Sequence, residues 1–279
     1  MKTAKKKEGW KFFIGIFVGM GIIVILLLAT MLSSFSSPFT SKIAIIKIRG
    51  TIASGHSLLA ETVTPDDTLP LIQKAEEDSS IKAVMFDIDS PGGSVVASRE
   101  IAYAVAEMKK PTLCWMGDVA ASGAYWIASS CDYIMADPLT LTGSVGVTAS
   151  YLEFSKLFDK YGITYEQITS GESKDVGSPF RNLTAGERSK LEYIVNETFT
   201  YFIADVTSRR NLTQSQIDTI KTGDVFLGKD AIALGLIDGT GTLSDAREKA
   251  KSLANDKNAN FVSLQKSGLS IFELLGMLG

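Results

Sequence analysis

Ile81-Lys-Ala-Val-Met-Phe-Asp-Ile-Asp-Ser-Pro-Gly-Gly-Ser94 passes from an apolar run straight into a Pro-Gly-Gly turn. Ile81–Ile88 is apolar and β-branched enough for a buried strand, and Pro91, Gly92 and Gly93 end it. The next stretch, from about Ser94 to Lys109, predicts a helix. Strand, turn and helix follow one another within thirty residues. The same order recurs on either side. Upstream, Ile43–Ile48 (IAIIKI) predicts a strand closed by Gly50, residues 51–68 an exposed loop, and Leu69–Glu77 a short amphipathic helix. Downstream, Thr112–Met116 and Asp132–Ala136 predict strands on either side of a helix that starts within the stretch 118–130. Leu139–Val147 combines β-formers with two glycines, Tyr151–Tyr161 has helical periodicity, and Ile163–Ile168 predicts a further strand. Such alternation argues for an α/β domain with largely parallel strands. Beyond residue 184 the chain turns helical, over 185–209, 213–222, 228–236 and 243–255.

The ends differ from this body. Lys2, Lys5, Lys6, Lys7 and Lys11 against Glu8 make residues 1–11 basic by +4, which leaves −7 for the rest of a chain whose net charge is −3. Phe12–Met31 carries no charge over 20 residues. As a helix it would span roughly 30 Å, the hydrocarbon thickness of a bilayer. Its length and the absence of a clear A-x-A site favour an uncleaved anchor over a signal peptide. The expected division is therefore a cytoplasmic basic segment (1–11), a transmembrane anchor (12–32), a linker (33–42), a catalytic domain (43–265) and an apolar tail (266–279). Within the domain, a core over 43–182 precedes a more helical assembly portion over 184–265. The lysines before the span keep the N-terminus cytoplasmic and place the domain outside, on a single-pass cell-membrane protein. The mildly acidic body has no basic stripe for nucleic acid. Cys114 and Cys131 lie in apolar contexts and read as buried reduced thiols. No Cys/His cluster has metal-ligand spacing, so neither metal nor other cofactor is expected.

Three stretches could carry chemistry. In Asp89–Ser94 the paired glycines let backbone N–H groups face a ligand at a helix start, although a plain strand–helix turn has the same composition. In Asp118-VAASGAYWIAS-Ser130, Ser122 is a cap, a small packing residue or a nucleophile, with the Gly123 N–H beside it. In Thr169-SGESKDVGSPF-Arg181, Lys174 stands alone in a polar loop, where most lysines are solvated. A nucleophilic serine needs a base, and His56 is the single histidine. It sits in the flexible stretch TIASGHS, which predicts an exposed loop residue and not an oriented imidazole. A Ser-Lys pair is then the remaining established way to activate a serine. A lysine base needs burial that disfavours its ammonium, since an unperturbed lysine titrates near roughly 10.4.

SPGG at 90–93, ASGAYWIA at 121–128, PLTLTGSVGV at 138–147 and SGESKDVGSPFR at 170–181 occur in an order that resembles the signal peptide peptidase A family, in its short form. The resemblance covers about 43–240, and the N-terminal anchor agrees with it. It implies a ClpP/crotonase-like α/β fold of repeated β-β-α units and a membrane-anchored Ser-Lys serine protease. By position, Ser122 matches the nucleophile, Lys174 the general base, and Ser144 the serine that orients the lysine. The backbone N–H groups of Gly93 and Gly123 match the oxyanion hole. Ala124 departs from the pattern, where a second glycine is usual. The resemblance also implies peptide substrates, remnant signal peptides among them, contact with membrane lipid through the anchor, and a ring-like homo-oligomer. Two other readings compete: a crotonase-like acyl-CoA enzyme, which has no evident need for an anchor or a Ser122/Lys174 pair, and a catalytically inert membrane scaffold.

Overall fold

A computed structural model describes residues 41–57 and 59–265, together with the helical positions Met20, Ile22, Ile23 and Ile25. Those four positions apart, the expected anchor lies outside the described residues, as do most of the linker and the tail. Among the described residues no helix is long and apolar enough to cross a membrane. The chain divides between Thr40 and Ser41, and the fold below belongs to the unit that begins at Ser41.

Among its described residues ten strands form: β1 (Lys42–Arg49), β2 (Thr51–Ile52), β3 (Thr62–Val63), β4 (Ile81–Ser90), β5 (Thr112–Ala121), β6 (Tyr133–Ala136), β7 (Leu141–Gly143), β8 (Val225–Leu227), β9 (Gly239–Thr240) and β10 (Asn260–Leu264). The main sheet runs β10-β1-β4-β5-β6-β9, with every pair parallel. Its helices are α1 (Pro65–Glu77), α2 (Val95–Ala106), α3 (Gly123–Ala128), α4 (Ser155–Tyr161), α5 (Ala185–Arg210), α6 (Gln214–Ile220), α7 (Gly228–Ala231) and α8 (Leu243–Leu253).

The apolar runs of β1, β4 and β5 are continuous because both faces of the sheet are covered. Ile46, Ile48, Phe86, Ile88 and Met116 point into the larger core, with Ile101 of α2, Trp126 of α3 and Phe202 of α5. Ile43, Met85, Leu113 and Trp115 alternate with them and meet Ala246 and Ala250 of α8 on the other face. Each fully buried Ile or Phe contributes about 1.5–3 kcal/mol relative to exposure. Cys114 and Cys131 are free, buried thiols, as their apolar contexts predicted.

Several boundaries differ from the sequence reading. Thr64 caps α1 and Pro65 occupies its first turn, so the helix begins four residues before Leu69, inside the expected loop. Strand β5 continues through Gly117-Asp-Val-Ala-Ala121, past the Met116 end that the sequence predicts for it. Ile163–Ile168 is not a strand; Ile163, Tyr165 and Ile168 are exposed, with no neighbouring strand to bury them. The 228–236 helix is only the four residues of α7 followed by a turn. Three long-range elements, β8, β9 and β10, were not expected at all.

The end of β5 decides where Ser122 lies. β4 and β5 pair regularly up to Ile88 with Met116, then shift so that Ser90 faces Ala120. The extra residues of β5 are held by Asp89, whose Oδ1 accepts from the Val119 N–H at 3.2 Å. Before the shift β5 pairs with β6; after it, Val119–Ala121 pairs with β7. The strand is thus steered away from the sheet, and it delivers Ser122 at its tip.

Candidate active site

Ser122 joins β5 directly to α3 with φ 54° and ψ −124°, a conformation that non-glycine residues seldom adopt. Its backbone is fixed on both sides. The Ser122 N–H donates to the Gly143 carbonyl at 2.9 Å, and the Ser122 carbonyl accepts from Trp126 N at 3.0 Å. The Ser122 side chain makes no capping hydrogen bond to α3, so its hydroxyl is left for other work. A residue held at a strained φ between a strand and a helix is a common form of stored strain at functional sites.

The Pro-Gly-Gly turn after β4 abuts this junction. An ideal Cβ on Gly92 would lie 2.7 Å from Gly123 N and 2.9 Å from Ser122 Cβ, so only glycine fits. Gly93 is clamped from the opposite side by β2: Ile52 N donates to the Gly92 carbonyl at 3.0 Å, and Ser94 N donates to the Ile52 carbonyl at 2.8 Å. This bridge uses the Gly92 carbonyl and the Ser94 N–H and leaves the Gly93 N–H unbonded by β2. Neither Gly93 N–H nor Gly123 N–H finds an acceptor among the described residues. Two unpaired donors beside a serine hydroxyl are what an oxyanion needs.

Ser144 follows Gly143 at φ 50°, and its N–H donates to the Asp224 carbonyl at 2.7 Å. The antiparallel pairing of β7 with β8 thus holds it beside the Ser122 junction. Ser122 and Ser144 share the wall of a cavity of about 440 Å³ with Val147, Thr148, Phe199 and Lys221. Ser122 also lines a smaller recess of about 100 Å³, with Gly93, Gly123, Ser98 and Phe202. Val147, Thr148, Val195 and Asn196 continue the cavity into a third of about 470 Å³, bounded by Tyr151, Gly177, Leu183 and Leu191. Together they make one groove between the 144–151 segment and α5. Helix α5 is seated by Trp126, which stacks on Phe202 at 4.4 Å and donates from Nε1 to Asp205 Oδ2 at 3.0 Å.

The structure therefore brings together Ser122, Ser144, Gly93 and Gly123. Lys174 stands apart from them. It lies on an exposed turn and lines neither cavity that contains Ser122. The lysine at the cavity wall is Lys221, which sequence reading did not single out. Its Nζ pairs with Asp218 at 2.6 Å, and that contact lowers the Asp218 carboxyl's pKa. The α5 wall was also missed, because Val195, Asn196 and Phe199 sit in a helix whose surface is mostly polar. His56 is exposed, with Nε2 3.4 Å from Asp67 Oδ2, and it does not line the groove. Ala124 is buried without strain, so the missing second glycine leaves α3 intact. Among the described residues no cluster of His, Cys, Asp and Glu could hold a metal ion.

Residues 104–257 match the family described as Peptidase family S49. Protease 4 of Haemophilus influenzae is 34% identical over 220 residues, 78% of this chain. A protein of Enterococcus faecium named as a signal peptide peptidase, SppA, is 33% identical over 216 residues, 75% of this chain. The chain spans 35% of the first relative's length and 63% of the second's. Among solved structures, a serine-to-alanine mutant of the 1510-N membrane-bound stomatin-specific protease superposes with a TM-score of 0.53 at 15% identity. That alignment covers 82% of this chain and 99% of the other, and it shows a shared fold.

Proposed function

Because this chain belongs to peptidase family S49, a family of serine proteases, we propose that it is a membrane-anchored endopeptidase using Ser122 and Lys174. One observation carries the reading: Ser122 is held at a strained φ beside two unpaired N–H groups, those of Gly93 and Gly123. The fold type proposed is the ClpP/crotonase-like one, with its β-β-α units. In the proposed cycle Lys174, as the free amine, takes the Ser122 proton while Oγ adds to the scissile carbonyl. The new oxyanion accepts from Gly93 N and Gly123 N; loss of one such donor typically costs about 10²–10³ in turnover. Lys174 then protonates the departing amine, and water, deprotonated in turn by Lys174, releases the acyl group from Ser122. Ser144 orients the lysine through its hydroxyl and adds no charge.

Lys174 acts as a base only where its turn is covered, because an ammonium in water keeps its proton. The surroundings of the turn favour cover by a second copy of the chain. Tyr161, Ile163, Tyr165 and Ile168 are all exposed close to it in sequence, an apolar surface of the kind that marks an interface. A ring-like homo-oligomer would supply that cover. The groove, with Val147, Leu183, Leu191 and Val195 along it, suits an extended peptide with apolar side chains. With the 12–32 anchor, this supports remnant signal peptides at the membrane as substrates, and a catalytic domain on the extracytoplasmic side.

Labelling with a fluorophosphonate tests the assignment. Wild type and K221A are expected to label at the same rate and S122A not at all. K174A is expected to label slower by about 10²–10⁴, the usual contribution of a general base. Unchanged labelling of S122A would remove Ser122 as nucleophile. Loss in K221A with full labelling of K174A would move the base to Lys221.

A further inference from the structure

The turn that bears Lys174 is held far more firmly than an exposed polar loop needs to be. Arg181 donates from Nε to Asp175 Oδ2 at 2.7 Å and from Nη2 to Asp175 Oδ1 at 2.8 Å. The same guanidinium donates from Nη2 to Glu187 Oε1 at 2.6 Å and from Nη1 to Glu187 Oε2 at 2.9 Å. Its remaining N–H reaches the Asn182 carbonyl at 3.1 Å. All five donors of the guanidinium are thus in use. Glu187 belongs in turn to a capping box, with Thr184 N donating to its Oε2 at 2.8 Å and its own N–H donating to Thr184 Oγ1 at 3.2 Å. Asp175 is the residue next to Lys174, and Glu187 is in the first turn of α5. The guanidinium therefore ties the base's neighbour to the helix that walls the groove.

The rest of the turn is fixed too. Phe180 packs between Phe158 at 5.3 Å and Tyr165 at 4.5 Å, and the Pro179 carbonyl accepts from Phe154 N at 2.7 Å. Ser178 N donates to the Asp175 carbonyl at 2.9 Å. Gly177, inside the ring closed by Arg181, lines the same groove as Val147 and Leu191.

We propose that Arg181 is the positioning residue for Lys174, clamping Asp175 and Glu187 so that the base is presented from a rigid turn registered on α5. The proposal rests on Lys174 being the base. It requires no contact between Arg181 and substrate, and it applies equally whether the lysine serves its own chain or a neighbour. The carboxyl groups report the strength of the clamp: hydrogen bonds from Arg181 hold Glu187 down to about 2 and Asp175 below its ordinary range. Lysine cannot replace this arginine, because an ammonium has no planar fork for two carboxylates.

Full-length R181A, R181K, K174A and the double variant K174A/R181K are compared in detergent, using a fluorogenic peptide and the fluorophosphonate. The expected result for R181A and R181K is a fall in kcat of about 10–10²-fold, the cost of misplacing a catalytic group by about 1 Å. KM stays within about twofold, because Arg181 does not bind substrate. Adding R181K to K174A is expected to leave the residual labelling rate unchanged, since an effect exerted through Lys174 vanishes with it. Wild-type kcat in R181K beside an impaired K174A overturns the proposal and leaves the Ser-Lys reading standing. An equal loss from R181K with and without Lys174 overturns it as well, whatever the melting temperature of R181A. Wild-type activity in K174A overturns the Ser-Lys reading itself.

Discussion

The Ser98 hydroxyl occupies the place where a side chain on Gly123 would begin. An ideal Cβ on Gly123 would lie 2.2 Å from Ser98 Oγ and 2.9 Å from Ser98 Cβ. Ser98 is fully buried, and its Oγ makes no hydrogen bond among the described residues. The two helices α2 and α3 thus meet through a serine and a glycine that cannot both be larger. Gly123→Ala is therefore expected to push α3 off α2 and move the Gly123 N–H away from the proposed oxyanion site. Peptidase turnover should fall by about 10²-fold or more. Ser98→Gly in the same chain removes both clashing atoms and should restore part of it. Steady-state kinetics on the single and double variants decide this.

Ser122 spends stability on its position. A non-glycine residue in so sparse a region of φ/ψ costs about 1–3 kcal/mol. Ser122→Gly relieves that strain and removes the proposed nucleophile. Calorimetry should show a melting temperature higher by about 2–4 °C for each kcal/mol recovered, in a protein with no turnover. A variant no more stable than wild type would mean that the junction is not strained.

Acid should open the Lys174 turn late. The folded Glu187 carboxyl is held at about 2 by hydrogen bonds from Arg181, below the ordinary glutamate value. A lowered carboxyl pKa contributes stability that is complete above the unfolded value of roughly 4.3 and is lost as pH falls through the folded one. Limited proteolysis within 171–187 should find the turn protected at about pH 4, with cleavage rising towards about pH 2. In R181A the same cleavage should begin near the ordinary glutamate range, about one to two units higher.

Nucleophile and base are expected to come from different copies of the chain. Lys174 is exposed and absent from the walls around Ser122, while apolar side chains stand bare nearby. Co-assembled S122A and K174A subunits should then regain part of the activity that neither has alone. An inert mixture, with subunit exchange verified, would place both groups on one chain.

The parts of the fold that read plainly in the sequence are those specified by their own residues. Ile43–Ile48 and Ile81–Ile88 are apolar enough to announce strands buried on both faces. Thr184 with Glu187, Thr213 with Gln216 and Thr242 with Asp245 are capping boxes that start α5, α6 and α8. Elements set by distant partners were illegible. The Gly117–Ala121 end of β5 has no strand pattern of its own and is extended because Asp89 and β7 hold it there. Asn260–Leu264 is too short and mixed to announce itself, yet it pairs along β1. In the site, Gly93, Ser122 and Gly123 stood out as small residues in turns, whereas Ser144 and the role of each came only with the family resemblance. Val195, Phe199 and Lys221 did not stand out, since a helix face or a loop becomes a groove wall only when something packs opposite it.

The pairing of β1 with β10 has a kinetic consequence. Lys42 faces Asn260 across a parallel ladder, so the first described strand of this unit to leave the ribosome waits for the last described one. Until Asn260–Leu264 arrives, one edge of β1 offers unpaired N–H and C=O groups to any strand that passes. Contacts so far apart in sequence fold slowly and leave intermediates open to mispairing. Completion of the described sheet is thus timed by Asn260–Leu264, and truncation before Asn260 leaves that edge of β1 permanently open.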